Sequence, residues 1–72
     1  MDIRGRVGLR IKELRLGSKL TQEKLAFKAE IDKTYLNEVE RGKRNVAIIN
    51  LEKIILALDT TIKEFFNTKD FS

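Results

Sequence analysis

The sequence contains no cysteine and no histidine, so it offers no thiolate, imidazole or soft metal ligand for a zinc finger, a disulfide scaffold or histidine-based acid–base catalysis. Only carboxylate and amine chemistry remains. Proline is also missing, and just four glycines occur, Gly5, Gly8, Gly17 and Gly42, which leaves long helices unopposed and points to an all-α chain. A length of 72 residues supports one small core rather than two domains or a large catalytic pocket. No Ser/Gly-rich linker, low-complexity tract or internal repeat divides the chain, so residues 1–72 read as a single domain. Its longest apolar run, Ile54 to Leu58, is far short of a membrane span, and Arg4 and Arg6 precede any apolar stretch. The expectation is a soluble cytoplasmic protein with no membrane partner, no metal or other cofactor and no small-molecule substrate. With the usual nucleophiles and bases missing, it is expected not to be an enzyme.

Positive charge is what the chain has in excess. Fifteen Lys and Arg against eleven Asp and Glu give a net charge of +4 and a pI near 9.6, which favours a polyanionic partner. The distribution is uneven: residues 1–46 hold twelve basic and seven acidic side chains, whereas residues 47–72 hold three and four. The first part suits phosphate and the second does not.

Apolar periodicity and capping residues divide the chain into helices. Val7, Ile11 and Leu14 recur at helical spacing in a first helix that Gly17 and Ser18 end. Thr21 is an N-cap, with Leu20 before it and Leu25 after it as a hydrophobic staple; Asp32, with Ile31 and Leu36, repeats the pattern. Two short helices separated by about three residues must cross sharply, so residues 21–41 read as a helix-turn-helix in which Leu25, Ala26, Leu36 and Val39 fill the angle. Gly42 closes the second of the pair. After a basic loop, Lys43-Arg44-Asn45, a more apolar helix runs through Leu51, Ile54, Ile55 and Leu58, and Thr61 with Glu64 opens a last one. Residues 67–72 are expected to fray, although Phe71 is able to pack.

In such a motif the second helix places its N-terminal residues against base edges in the major groove. Those residues are Lys33, Thr34, Asn37 and Glu38: lysine donates to guanine, asparagine pairs with adenine, glutamate accepts from cytosine, and threonine bonds or touches a thymine methyl. Gln22, at the start of the preceding helix, and Arg41, Lys43 and Arg44 after the reading helix are candidates for phosphate contacts. The competing reading of all eight is an ordinary solvated helix face or charge run. Glu40 beside Arg41 has the look of a catalytic acid, but its place in the chain favours a structural ion pair with Arg15 that ties the first helix to the third.

From about Val7 to Phe66 the chain resembles the lambda-repressor-like, XRE-type helix-turn-helix regulators. Arg10-Ile11-Lys12-Glu13-Leu14-Arg15, Leu20-Thr21-Gln22-Glu23-Lys24-Leu25-Ala26, Tyr35-Leu36, Val39-Glu40-Arg41-Gly42 and Ala57-Leu58 carry the resemblance. It implies five helices, phosphate contacts at Gln22, Arg41 and Lys43, base readout by Lys33, Thr34 and Glu38, and pairing of Arg15 with Glu40. The single-domain length and the segment from Glu40 to Asn45 are similar to controller proteins of restriction–modification systems, which implies a dimeric transcriptional regulator. Phage-type repressors and antitoxins of the same fold share nearly all these residues. Two positions depart from the family pattern: Glu30 and Lys19 stand where glycine is usual, and a left-handed non-glycine residue costs about 1 kcal/mol.

One reading helix spans only a few base pairs, so a pair of them about 34 Å apart is expected on duplex DNA. Residues 47–66 are more apolar than one face of two short helices can bury. They are expected to form a symmetric homodimer contact through Ile48, Ile49, Ile55, Phe65 and Phe66, unless all of these fill the monomer's core. A protein-binding module of the antitoxin kind, with DNA binding secondary, is the alternative. An RNA-binding role is disfavoured because Phe65, Phe66 and Phe71 lie away from the basic region.

Overall fold

Short polar side chains open most of the helices and so decide where the chain turns. The computed structural model describes residues 1–72, with α1 (Ile3–Gly17), α2 (Gln22–Ala29), α3 (Lys33–Glu40), α4 (Ile48–Ala57), α5 (Ile62–Phe66), a final 3-10 turn (Lys69–Phe71) and no strand. Asp2 caps α1 by accepting from the N–H groups of Arg4 and Gly5; the Arg4 guanidinium, ahead of the Gly5 N–H, holds its carboxyl below the ordinary aspartate value. Thr21, Asp32 and Thr61 cap α2, α3 and α5 by accepting from the N–H groups of Lys24, Tyr35 and Glu64. Ala47, ahead of α4, has no side chain to offer. The Tyr35 hydroxyl on α3 instead anchors this segment, accepting from the Ala47 N–H and from the Asn50 side-chain amide, both at 3.3 Å.

The four longer helices end alike. A left-handed residue follows each one, Lys19 (φ 58°), Glu30 (φ 58°), Gly42 (φ 74°) and Asp59 (φ 57°). The residue after it donates its N–H to a carbonyl near the helix end: Leu20 to Arg15, Ile31 to Ala26, Lys43 to Glu38 and Thr60 to Ile55. In three cases the next residue is already an N-cap, so these connectors run left-handed residue, spacer and cap, preceded in two of them by a C-cap, Ser18 or Leu58. Only the connector between α3 and α4, which carries Lys43 and Arg44, is longer.

Helix α1 packs on α3, α2 on both α3 and α4, and α5 on α4. Ile11, Leu25, Leu36, Ile54 and Phe65 have no solvent exposure, each contributing about 1.5–3 kcal/mol of burial. Ala26 and Val39 are buried with them, as the crossing of α2 and α3 requires. Gly8 allows α1 its close approach: a Cβ there would lie under 3 Å from the carbonyl oxygens of Val39 and Glu40. Arg10 ties α1 to α5, its Nε and Nη2 donating to the carbonyls of Phe65 (2.8 Å) and Glu64 (3.0 Å) at a helix end with too few internal donors.

The expected fraying of residues 67–72 is corrected by the 3-10 turn, which returns Phe71 to Phe66 edge to face at 4.9 Å. The aromatic contact supplies what a short polar tail lacks. Ile55 and Phe65, expected on a dimer surface, are 1% and 0% exposed and belong to the core instead. Helical spacing groups them with their apolar neighbours but does not say which way the stripe faces.

Candidate nucleic-acid interface

The crossing of α2 and α3 presents one polar face. Lys33 and Thr34, in the first turn of α3, are exposed, and Asn37 and Glu38 are half-buried one turn further on. Gln22, first residue of α2, lies beside them close enough that its Oε1 accepts from Asn37 Nδ2 at 3.1 Å. Arg41, Lys43 and Arg44 are exposed at the far end of α3 and in the loop after it. All eight residues singled out in the sequence therefore lie on α3, at the start of α2 or in the following loop.

Their states differ. Lys33, Thr34, Arg41 and Lys43 have no hydrogen-bonded side-chain partner within the chain. Glu38 accepts from Arg44 Nε at 2.8 Å, and the Arg44 guanidinium also lies 5.3 Å from the centre of the Tyr35 ring. Tyr35 thus supports Arg44 with its ring and α4 with its hydroxyl. Neither role is legible in the local sequence, because both partners come from a loop and a helix whose placement the local pattern does not encode.

Behind this face Arg15 and Glu40 form a bidentate pair. Arg15 Nε donates to Glu40 Oε2 at 2.7 Å and Nη2 to Oε1 at 3.0 Å, with side-chain exposures of 9% and 2%. Arg15 Nη1 donates to the Leu20 carbonyl at 2.9 Å, so the same guanidinium also holds the turn into α2. Glu40 stands at the C-terminal end of α3, where a carboxylate is unfavourable to the helix dipole; the guanidinium neutralises it. Gln22 Nε2 donates to Glu40 Oε1 at 3.1 Å, joining the buried pair to the surface.

Beyond the loop after α3, α4 and α5 expose Ile48 (82%), Ile49 (68%) and Ile62 (56%) around a groove floored by Leu51, Ile55 and Phe66. Of the five residues expected at a dimer contact, Ile48 and Ile49 stand out from the surface and Phe66 is half-buried, whereas Ile55 and Phe65 do not stand out. Ile62 joins them because the turn at Asp59 brings α5 beside the start of α4. No group of acidic side chains is arranged to hold a metal ion, and no helix is long and apolar enough to cross a membrane.

Comparison with known proteins agrees with this arrangement. The helix-turn-helix family matches residues 11–65. The chain is 43% identical over 67 residues to the control protein C.MunI of Mycoplasma sp, covering 92% of this chain and 90% of that one. It is 40% identical over 67 residues to the control protein C.BamHI of Bacillus amyloliquefaciens, covering 92% and 83%. The crystal structure of the restriction-modification controller protein C.AhdI from Aeromonas hydrophila superposes with a TM-score of 0.84 at 43% identity, covering 88% of this chain and 96% of that one. The controller protein C.Esp1396I, seen as a tetramer in complex with its natural 35 base-pair operator, gives a TM-score of 0.87 at 38% identity over 92% and 87% of the two chains. The chain belongs to the XRE-type helix-turn-helix family, and within it is similar to the controller proteins of restriction–modification systems.

Proposed function

We propose that this chain is a sequence-specific regulator that binds duplex DNA as a homodimer on a two-fold related operator, in the manner of a restriction–modification controller protein. The observation that carries the reading is the unpartnered Lys33 and Thr34 at the start of α3, beside Gln22 and flanked by the exposed cations Arg41 and Lys43. In this reading Lys33 and Thr34 meet base edges, joined by Glu38 when Arg44 leaves it for the backbone; Gln22, Arg41, Lys43 and Arg44 meet phosphates. The apolar rim of Ile48, Ile49 and Ile62 over Phe66 pairs two copies, which sets two reading helices about 34 Å apart. Residues 1–72 act as one unit, with 21–41 facing DNA and 47–66 facing the second copy. The chain is not an enzyme, in keeping with relatives that are controller proteins and transcriptional regulators. A regulator of this kind works in the cytoplasm, where its operator is.

Selection from a random duplex library near 150 mM salt, followed by anisotropy titration of the enriched duplex against a scrambled one, tests the reading. A two-fold symmetric site bound at least ~10³ tighter than the scramble is the expected result. Binding that shows no preference and vanishes with salt would overturn it.

A further inference from the structure

Four side chains from three helices are linked end to end between the buried ion pair and the polar face. Arg15 of α1 donates to both oxygens of Glu40 on α3; Glu40 Oε1 accepts from Gln22 Nε2 of α2 at 3.1 Å; and Gln22 Oε1 accepts from Asn37 Nδ2 of α3 at 3.1 Å. The direction of every bond in this chain is dictated by its buried end. An arginine only donates, and the carboxylate paired with it only accepts, so Gln22 must turn its NH2 group toward Glu40. That leaves its oxygen toward Asn37, which must in turn present its NH2 group. Reversing either amide would set two oxygens or two NH2 groups against each other.

The outcome is that Gln22 is held at both ends of its amide. One Nε2–H goes to Glu40 and the oxygen accepts from Asn37, so the second Nε2–H is the donor left to the Gln22 amide, beside the open N–H groups of the first turn of α2. A glutamine on a free surface would lose rotamer freedom on meeting a ligand; here the freedom has been removed in advance. Asn37, with its amide nitrogen turned sideways to α2, is the residue that completes the hold.

We propose that Asn37 is a positioning residue rather than a base reader: with Glu40 it clamps the Gln22 amide in one orientation for a phosphate of duplex DNA, and Glu40 sets the polarity of the clamp. This rests on the duplex-DNA reading for the ligand, but not for the clamp itself.

Two measurements test it on the full chain, with Asn37→Ala and Gln22→Ala chosen because both residues lie outside the apolar core and both variants keep the Arg15–Glu40 pair. In the free protein, the side-chain amide protons of Gln22 are followed by NMR. Asn37→Ala is expected to move them toward the shifts and water-exchange rate of a free glutamine, and unchanged resonances would overturn the clamp. On the selected duplex, a double-mutant cycle is read by anisotropy. Each single change is expected to weaken binding about fivefold, the worth of one hydrogen bond, and the double change no further than either one. The loss from Asn37→Ala is expected to be equal on duplexes altered at any single base pair. Losses that multiply in the double variant, or a preference that relaxes at one base pair only, would make Asn37 a reader and overturn the proposal. If the wild-type chain selects no duplex, the DNA reading fails by itself and the NMR comparison still decides the clamp.

Discussion

Gly8 is the residue whose importance a sequence hides best. In the interior of a solvated helix, glycine is about 1 kcal/mol worse than alanine, so Gly8→Ala in an isolated α1 would be stabilising. Against α3 the sign reverses, because the added methyl meets the carbonyl oxygens of Val39 and Glu40, which belong to a packed helix and cannot swing aside. The substitution is expected to lower stability by about 1–3 kcal/mol, read as a drop in melting temperature of several degrees or more. An unchanged or raised melting temperature would mean that α1 can slide off α3. The reason was not legible in the sequence, since the clash is with backbone distant in the chain. The exposed polar turn that opens α3 was legible, because polar side chains interleaved with buried Leu36 and Val39 are a local pattern. Lys33→Ala is expected to cost about 1–3 kcal/mol on the selected site and to relax preference at one position. Lys43→Ala should weaken all duplexes alike and flatten the salt dependence by about one unit. Titrations of both variants on matched and altered duplexes, at several salt concentrations, separate the two roles.

At the scale of the helix, starts were easier to read than ends. Thr21, Asp32 and Thr61 announce a start because the capping oxygen belongs to the residue itself, and the leucine and isoleucine staples lie within five residues of it. An end depends on a backbone state, and only Gly42 advertises the left-handed conformation by its chemistry. Family resemblance drew attention to Lys19 and Glu30, and both are left-handed; nothing in the pattern singled out Asp59, which does the same at the end of α4. The start of α4 was obscure for the opposite reason: Ala47 has no capping side chain, and the group that fixes its N–H is a tyrosine hydroxyl from another helix. Each of the three non-glycine residues bears about 1–2 kcal/mol of strain, partly offset because glycine would lose more entropy on folding. Glu30→Gly is therefore expected to raise stability by about 0.5–1 kcal/mol in a denaturant titration, with Lys19→Gly behaving alike. A loss of stability in either variant would show that unfolded-chain entropy outweighs the strain.

At the scale of the molecule, α3 and the loop after it carry Lys33, Arg41 and Lys43 without partners, while α4 and α5 carry the exposed Ile48, Ile49 and Ile62. The sequence indicated that residues 47–66 hold surplus apolar area, but it could not sort outward from inward residues, and it placed Ile55 and Phe65 on the wrong side. That sorting yields a test in which fold and assembly separate. Ile48→Lys with Ile49→Lys should leave the helical signal and melting behaviour of the isolated chain intact while abolishing the dimer in sedimentation at micromolar concentration. Phe65→Ala should cost about 3–5 kcal/mol and unfold much of the population. A double lysine variant that still sediments as a dimer would move the contact elsewhere. The connectors bear on a different property, the time needed to become active. Three of the four turns are only three or four residues long, so most loops close at little entropic cost. With no prolyl bond to isomerise, a helical topology of this kind folds within microseconds to milliseconds. Folding therefore adds no lag after synthesis, and for the dimer proposed above any delay before it accumulates is set by the second-order meeting of two copies, whose rate at low concentration rises with the square of the amount made.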